Sequence, residues 1–201
     1  MTLRPDLAAI AEMIPAGARV LDVGCGDGAL LEHLAKTKTV DGRGIELEQQ
    51  NVNACVARGL AVMQGDADTD LGEYPTGAFD VAILSQTIQA TRSPRDVLNH
   101  LLRIGRRTVI SLPNFGHWRV RLALLTNGRM PRTQALGYEW YDTPNIHLCT
   151  IADFVALAQD TGATIERALA LDGQGRSHAM RADAWGPNLL ADGAIFLLRG
   201  K

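Results

Sequence analysis

A glycine-rich loop in the first quarter of the 201-residue chain holds the first residues that can do chemistry. The apolar segment 19–23 is predicted to be a short buried strand, and the run Gly24-Cys25-Gly26-Asp27-Gly28 follows it and opens a helix. Glycines allow a tight turn and close approach of the backbone to a ligand. The helix N-terminus adds free N–H groups and a partial positive charge. The loop, through Gly24, Cys25, Gly26 and Gly28, therefore predicts a site for a polar ligand.

An acidic residue at the end of the second predicted strand indicates the chemical class of the ligand. Glu46 lies 18 residues after Gly28, and Leu47 follows it. A carboxylate in this position can accept hydrogen bonds from both hydroxyls of a ribose. The loop and the acid together indicate an adenosine-type ligand, with Leu47 included among the predicted contacts.

The glycines alone do not separate two nucleoside cofactors, because Gly24, Gly26 and Ala29 also fit the dehydrogenase pattern G-x-G-x-x-G/A. Asp22, two residues before Gly24, separates them. A carboxylate there repels a pyrophosphate and attracts an α-ammonium group, directly or through water. Asp22 therefore favours S-adenosylmethionine over NAD. The alternative is that Asp22 only caps the loop by accepting hydrogen bonds from backbone N–H groups.

Strands alternate with helices along most of the chain. The predicted strands lie at 19–23, 60–64, 79–84, 108–112, 164–171 and 194–199, and a further strand ends with residues 43–46. The predicted helices lie at 27–36, 49–58, 93–103 and 150–162. This alternation predicts an α/β fold with a largely parallel sheet and right-handed crossovers. The last two strands are expected to pair as an antiparallel hairpin, because the stretch 172–193 between them shows no convincing helix. No repeat or linker interrupts the pattern, so residues 1–201 are expected to form one domain.

Composition excludes several classes of protein. Hydrophobic residues make up 46% and charged residues 21% of the chain, which is ordinary for a soluble globular protein. No window reaches the ~18 apolar residues of a membrane span, and the N-terminus lacks a signal-peptide pattern. Three cysteines without C-x-x-C spacing favour a reducing, cytoplasmic setting without disulfides or a metal site. A net charge of −2 argues against a nucleic-acid binder.

The charge is unevenly distributed. Residues 103–132 contain seven arginines and no acid, whereas residues 1–102 carry a net charge of −6 and residues 133–201 a net charge of −3. Three interpretations of this arginine run stay open. It is a solvated basic face, a surface for a partner protein, or a site for an anionic methyl acceptor.

Residues 20–28 resemble the first motif of the class I S-adenosylmethionine-dependent methyltransferases. This resemblance assigns Glu46 to the ribose. It also makes Gly65-Asp66-Ala67 similar to the adenine-binding motif, with Asp66 accepting from the exocyclic amine and the Ala67 N–H donating to the ring. Asp68 is an alternative adenine contact, and otherwise a solvated turn acid.

Several later segments together resemble the MetW family of methionine biosynthesis proteins; they are residues 79–90, 111–119, 128–131, 140–147 and 150–154. The resemblance covers about residues 15–160. It implies a Rossmann-like, doubly wound class I methyltransferase sheet of seven strands, mostly parallel with an antiparallel last strand. It also implies S-adenosylmethionine or S-adenosylhomocysteine as ligand, and a link to homoserine O-acyltransferase.

Candidates for catalysis are fewer than those for binding. The loop from Ser85 to Gln89 after the fourth strand is neutral, so it offers no general base, although Ser85 and Gln86 are predicted cofactor contacts. Asn114 and His117 after the fifth strand are the predicted catalytic residues. Further polar and aromatic candidates lie in the long connection 126–149, namely Tyr138, Trp140, Tyr141, Asp142, Asn145 and His147.

Two functions therefore stay open. The first is a methyltransferase acting on a small cytosolic molecule. The second is a non-catalytic, ligand-sensing partner of homoserine O-acyltransferase. For the second function, the charge asymmetry and the family link predict docking through arginines 119, 121, 129 and 132.

Overall fold

The computed structural model describes residues 3–132 and 137–201. The strands are β1 (Arg19–Val23), β2 (Asp41–Glu46), β3 (Val62–Gln64), β4 (Phe79–Ser85), β5 (Gly105–Pro113), β6 (Thr164–Leu171), β7 (Ser177–Ala179) and β8 (Gly193–Arg199). The α-helices are α1 (Pro5–Met13), α2 (Ala29–Lys38), α3 (Gln49–Ala57), α4 (Pro94–Ile104), α5 (Trp118–Asn127), α6 (Ile151–Asp160) and α7 (Trp185–Leu190).

All eight strands form one sheet in the order β3-β2-β1-β4-β5-β8-β6-β7. Strands β1 to β5 pair in parallel, while β8 runs antiparallel to both β5 and β6. Strand β1 pairs with β2 on one side and β4 on the other, so the strand order reverses there. In an open α/β sheet this reversal opens a crevice at the carboxyl ends of the strands. The expected mostly parallel, Rossmann-like fold is confirmed.

Two apolar layers cover the faces of the sheet, and the alternation along β1 shows how they arise. Leu21 and Val23 point into the layer that contains helices α4 and α6. Val20 points into the opposite layer, with residues of α1 and α2. Asp22 falls on the same face as Val20, because side chains alternate along a strand. A charged group is thereby placed inside the sheet–helix interface, at the carboxyl end of β1.

The stretch 172–193 differs from the sequence prediction. It contains β7, which adds an eighth strand to the seven expected, and the six-residue helix α7. All three residues of β7 are exposed, and α7 has no buried residue, so neither segment carries an apolar period. Tertiary hydrogen bonds hold them instead, including one from Asn114 Nδ2 to the Asn188 carbonyl.

Two further helices, α1 and α5, were not predicted. Helix α5 buries only Val120 and exposes several leucines, so its apolar residues follow no single helical face. It occupies the first part of the predicted connection 126–149 and the segment before it. Residues 133–136 of that connection lie outside the described residues. Within the described ranges, no helix combines the length and the apolar character needed to span a membrane.

Candidate functional site

A cavity of about 510 Å³ opens where the strand order reverses, at the carboxyl ends of β1, β2 and β4. Five of the residues predicted to bind the cofactor line it, namely Gly24, Glu46, Leu47, Asp66 and Ala67. The other residues predicted to bind the cofactor lie at the end of β1, in the loop after it and at the exit of β4, and they do not line the cavity; they are Asp22, Cys25, Gly26, Gly28, Ser85 and Gln86. The lining also includes Thr87 and Arg92.

At Gly24 and Gly28 of the loop, both the backbone conformation and the lack of space for a Cβ favour glycine. Gly24 and Gly28 have φ angles of 69° and 79°, in the left-handed region that favours glycine. A Cβ on Gly24 would lie 2.7 Å from Thr87 Oγ1, and one on Gly28 would lie 2.5 Å from Leu60 Cδ1. The backbone N–H groups of Gly24 and Cys25 both donate to the Ile45 carbonyl. The loop is thus pinned to β2 and packed too closely for side chains.

The Glu46 carboxylate joins this loop to the end of β2. Its Oε2 accepts from the Gly26 N–H at 2.8 Å, and its Oε1 accepts from the Glu48 N–H at 3.0 Å and from Asn51 Nδ2 at 3.3 Å. A carboxylate offers about four acceptor positions. One position on Oε2 therefore remains toward the cavity that Glu46 lines.

Asp22 is the least satisfied polar residue of the site. Its side chain is 2% exposed, and its Oδ1 has no hydrogen-bond partner among the described residues. Burial, and then the neighbouring charge of Glu46, raise the pKa of Asp22 to about 7. The capping interpretation is not supported, because the loop N–H groups of Gly24, Cys25 and Gly26 donate to Ile45 and Glu46. A buried acceptor of this kind requires a donor from elsewhere.

The acids after β3 form the opposite rim of the cavity. Arg92 reaches across and pairs with Asp66 Oδ2 at 2.6 Å. Asp68 accepts from the backbone N–H groups of Arg92 and Ser93, each at 2.9 Å. Burial favours a raised pKa for Asp68, but these hydrogen bonds and the Arg92 guanidinium lower it below its ordinary value. Asp68 therefore anchors the start of α4, rather than being a solvated turn acid.

The exit of β4 carries the one strained residue of the site. Gln86 has a φ of 51°, which is uncommon for a residue other than glycine. Its N–H donates to the Ser111 carbonyl at 2.9 Å, and its Nε2 donates to Asp6 Oδ2 at 3.0 Å. Ser85 Oγ lies 3.1 Å from Ser111 Oγ. Such strain persists only where the surroundings fix the residue.

A second cavity of about 410 Å³ is lined by Arg4, Asp6, Gln86 and Asp172, among others. Asp6 is buried, and Arg4 binds both of its oxygens, at 3.0 and 2.8 Å. No sequence motif marks Arg4 and Asp6 as site residues. The only local signal is the Arg-Pro-Asp start of α1, which indicates a helix start and not a site.

Asn114 and His117, the predicted catalytic residues, lie at the end of β5 and the start of α5. Asn114 is 0% exposed, and its amide is fully used. Its Nδ2 donates to the carbonyls of Asn188 and Ala191, and its Oδ1 accepts from the N–H groups of Gly116 and Ile151. Neither residue lines the 510 or the 410 Å³ cavity. In this arrangement the Asn114 amide binds four backbone groups in three segments, and none of its polar atoms is free for a ligand.

His117 is the N-cap of α5. Its Nδ1 accepts from the Arg119 N–H at 3.3 Å, and its ring lies against Trp118 with the ring centres 5.9 Å apart. An accepting Nδ1 places the proton of the neutral ring on Nε2. Through Nδ1 the ring therefore acts as a helix cap and not as a base.

The aromatic segment 138–148 packs apart from both cavities. Tyr138, Trp140, Asn145 and others line a third cavity of about 420 Å³, while Tyr141 is exposed beside them. His147 reaches the rim of the main site, because its Nε2 lies 3.3 Å from the carbonyl oxygen of Arg92, and the N–H groups of Ile146 and His147 donate to the Gln89 carbonyl at 2.9 Å. Within the described part of the chain, no group of three or more His, Cys, Asp or Glu residues is placed to hold a metal ion.

Solved structures share this fold. A SAM-dependent methyltransferase from Thermotoga maritima, described as a possible histamine N-methyltransferase, superposes with a TM-score of 0.71 over 98% of this chain and 88% of its own, at 15% identity. A TehB-like SAM-dependent methyltransferase from Corynebacterium glutamicum gives 0.63 over 100% and 89%, at 18% identity. The fold is therefore that of the class I SAM-dependent methyltransferases.

The family follows from the sequence. The profile described as methionine biosynthesis protein MetW matches residues 4–198, so the chain belongs to the MetW family. A bifunctional methionine biosynthesis protein MetXA/MetW from Rhodopirellula baltica is 35% identical over 97% of this chain. This chain spans only 32% of the length of that relative.

Proposed function

We propose that the chain binds S-adenosylmethionine in the 510 Å³ cavity and uses it in methionine biosynthesis. The observation that carries the proposal is the unpartnered, buried Oδ1 of Asp22 beneath the glycine loop. The α-ammonium group of this ligand is the donor that such an oxygen lacks. A pyrophosphate in the same place would add negative charge beside a buried carboxylate.

The remaining parts of the ligand match the cavity in order. Glu46 keeps one acceptor position for a ribose hydroxyl, and Leu47 lies beside it. Asp66 and Ala67 line the opposite rim, and we assign the Asp66 carboxylate and the Ala67 N–H to the adenine edge. Asp66 would accept a hydrogen bond from the exocyclic amine of adenine while it keeps its ion pair with Arg92.

We further propose methyl transfer to a small molecule that enters the 410 Å³ cavity beside Gln86. Bound S-adenosylmethionine supplies an electrophilic methyl group, and the chain's contribution is to align the acceptor and exclude water. Arg4, Asp6 and Asp172 give this cavity both signs of charge. Such a lining suits an acceptor that carries both a carboxylate and an ammonium group.

Calorimetry tests the binding step. We expect S-adenosylmethionine and S-adenosylhomocysteine to bind the wild type and NAD not to bind. Glu46→Ala should weaken binding, and Glu48→Ala, an exposed acid two residues away, is the matched control. Equal affinity in the wild type and Glu46→Ala, with both folded, would remove Glu46 from the site.

Methyl-labelled S-adenosylmethionine and a cytosolic small-molecule extract test the transfer step. Label should move to a small molecule, and Asp6→Asn should reduce the labelling while ligand affinity is kept. His117→Ala tests the sequence-based prediction directly, because unchanged labelling removes that ring from the reaction. An absence of label with ligand binding intact favours the second function.

The second candidate function is that of an accessory partner of homoserine O-acyltransferase. The relative in which a MetW region is joined to MetXA in one chain favours it. Helix α5 presents an apolar stripe to solvent, formed by Trp118, Leu122 and Leu125, which are all exposed. Their spacing of four and three residues places them on one face.

The arginines predicted to dock on the partner protein differ in their contacts within the chain. Arg121 donates to the Gly116 carbonyl, and Arg132 pairs with Glu139 at 3.1 Å. Arg119 lies over the ring of Trp118, with its guanidinium carbon 5.4 Å from the ring centre. We therefore propose that the stripe provides the contact and that Arg119 and Arg129 steer an acidic partner.

Association of the two purified proteins tests this second function. We expect Leu122→Ser/Leu125→Ser to abolish the complex, and Arg119→Glu/Arg129→Glu to slow association mainly at low salt. Arg181→Glu, at an exposed position elsewhere, is the matched charge control. A complex that tolerates both double variants would exclude α5 as the docking face.

The chain's three cysteines are free thiols, which fits the cytoplasmic setting we propose for either function. One sheet runs through the described residues. This supports the proposal that residues 1–201 act as one domain.

A further inference from the structure

Two adjoining cavities lie at the end of the sheet opposite the glycine loop. The first, of about 460 Å³, lies between the loop 15–18 and the first residues of β4 and β5. The second, of about 420 Å³, lies between the end of α4 and the start of β5. Arg106 lines both of them, so the two cavities meet at this residue. We call the pair the amino-end groove.

Basic side chains dominate this groove. Arg103, Arg106, Arg107, Arg199 and Lys201 line it, and among the described residues Asp80 is the one acid of the lining. The strand ends bring these residues together, because β5 begins beside the start of β4, with Arg107 opposite Val81, and beside the end of β8, with Thr108 opposite Leu198. The groove therefore contains the first three arginines of the 103–132 run. The other arginines of this run lie in or near α5.

Nearby carboxylates compensate this charge only in part. Arg106 lies 3.5 Å from Asp80, while Arg107 and Arg199 share the single carboxylate of Glu166, at 2.8 and 3.5 Å. Two carboxylates thus serve three guanidinium groups. The side chain of Arg106 is 77% exposed. Exposed ion pairs of this kind contribute little stability, so an incoming anion can replace them at small cost.

The shape of the groove indicates the size of the anion. Both cavities fall in the range of about 300–1,000 Å³ that is usual for small-molecule sites. A concave pair of sites joined by one arginine fits an extended small anion better than a broad protein surface. The planar fork of arginine binds phosphate oxygens two at a time.

We propose that the amino-end groove binds a ligand with two or more phosphate groups, with one phosphate in each cavity and Arg106 between them. The phosphates come from a free oligophosphate or from a nucleotide. This site uses none of the residues of the S-adenosylmethionine cavity. The proposal therefore stands or fails independently of the proposed function.

Calorimetric titration of the full chain with tripolyphosphate tests the proposal, with orthophosphate, ATP and adenosine as further arms. We expect tripolyphosphate to bind more tightly than orthophosphate, and affinity to fall as salt is raised. ATP binding with no binding of adenosine identifies a nucleotide source, whereas tripolyphosphate binding tighter than ATP identifies a free oligophosphate. Binding of polyglutamate without binding of tripolyphosphate would overturn the proposal in favour of an acidic protein segment.

Two matched variants localise the site. Arg106→Gln should weaken tripolyphosphate about tenfold, the usual effect of losing a charge-assisted contact. Arg181→Gln removes the same charge at an exposed position that does not line the groove, and it should leave affinity unchanged. Equal affinities of Arg106→Gln and the wild type, with the same melting temperature, would contradict the proposal, as would failure of the wild type to bind.

Discussion

The end of β1 and the segment after β5 both lie at the crevice end of the sheet, but their buried polar side chains differ in how fully they are hydrogen-bonded. At the carboxyl end of β1, the buried Asp22 keeps an oxygen without a partner. After β5, the buried Asn114 uses both donors and both acceptor positions of its amide on the backbone. A satisfied buried group stabilises the fold, whereas an unsatisfied one destabilises the free protein until a ligand supplies its partner. The difference separates a binding residue from a structural one, although both residue types suggest chemistry.

The largest expected effect is on the free energy of unfolding and concerns the structural residue Asn114. Asn114→Ala leaves two carbonyls and two N–H groups without their partner in a fully buried place. We expect the free energy of unfolding to fall by about 3–4 kcal/mol. Denaturant unfolding measures it, with the exposed Asn53→Ala as control. A loss below about 1 kcal/mol would mean that Asn114 is not the joint between these segments.

The next effect concerns the binding side. Glu46→Ala removes the acceptor for the ribose and the partner of the Gly26 N–H. Hydrogen bonds to a charged acceptor contribute about 1.5–3 kcal/mol each. We therefore expect the affinity for S-adenosylmethionine to fall roughly 30- to 100-fold in calorimetry. A variant that binds like the wild type would place the ribose elsewhere.

Asp22 predicts a pH dependence with a definite sign. Its folded pKa is raised to about 7, above the ordinary value of 3.8, so the folded state holds a proton that the unfolded state has lost between those values. Stability should therefore fall as pH rises from about 4 to about 7 and stay level above that. We expect a loss of about 2 kcal/mol, less than the full shift implies, because the protein relaxes around a buried charge.

Asp22→Asn is the control for this effect. The variant should not show the pH-dependent loss, and it should be more stable than the wild type above pH 7. The affinity of the wild type for S-adenosylmethionine should weaken as pH falls below 7, because the ammonium group prefers the ionised carboxylate. Identical pH profiles of stability in the wild type and Asp22→Asn would show that Asp22 does not titrate in this range.

The smallest effect is expected at His117. His117→Ala removes the N-cap acceptor of α5, and caps of this kind contribute about 1 kcal/mol. Thermal unfolding should show this modest loss, and His117→Asn should restore most of it. Ligand affinity should stay unchanged in both variants. A large loss of affinity in His117→Ala would instead join the segment after β5 to the binding site.

The sequence reveals the binding side of this comparison better than the structural side. Gly24, Gly26 and Glu46 follow predicted strands in chain order, and parallel strands bring their carboxyl ends together in any fold of this class. Asp6 and Gln86 meet across 80 positions of sequence, and nothing local to either residue predicts the contact. Helix α7 is equally difficult to predict from the sequence, because its six residues have no buried face and therefore show no apolar period.

The same limit explains Asn114. Its residue type after a strand suggests a ligand contact, but its role depends on α7 and on the start of α6, which lie 37 and more positions further along the chain. Only the assembled sheet end shows that the amide is already used. The arginine run is similar, because β5 separates its members to opposite ends of the sheet.

Titration of the full chain with S-adenosylmethionine at pH 8, in parallel with Asp22→Asn, tests whether the buried Asp22 carboxylate binds the α-ammonium group of this ligand. At this pH Asp22 is ionised, and Oδ1 can accept from the α-ammonium group. We predict one bound ligand per chain and an affinity at least about tenfold weaker in Asp22→Asn, which corresponds to one charge-assisted hydrogen bond. NAD should bind to neither protein. Tighter binding of NAD than of S-adenosylmethionine, or equal S-adenosylmethionine affinities in the wild type and Asp22→Asn, would contradict this prediction.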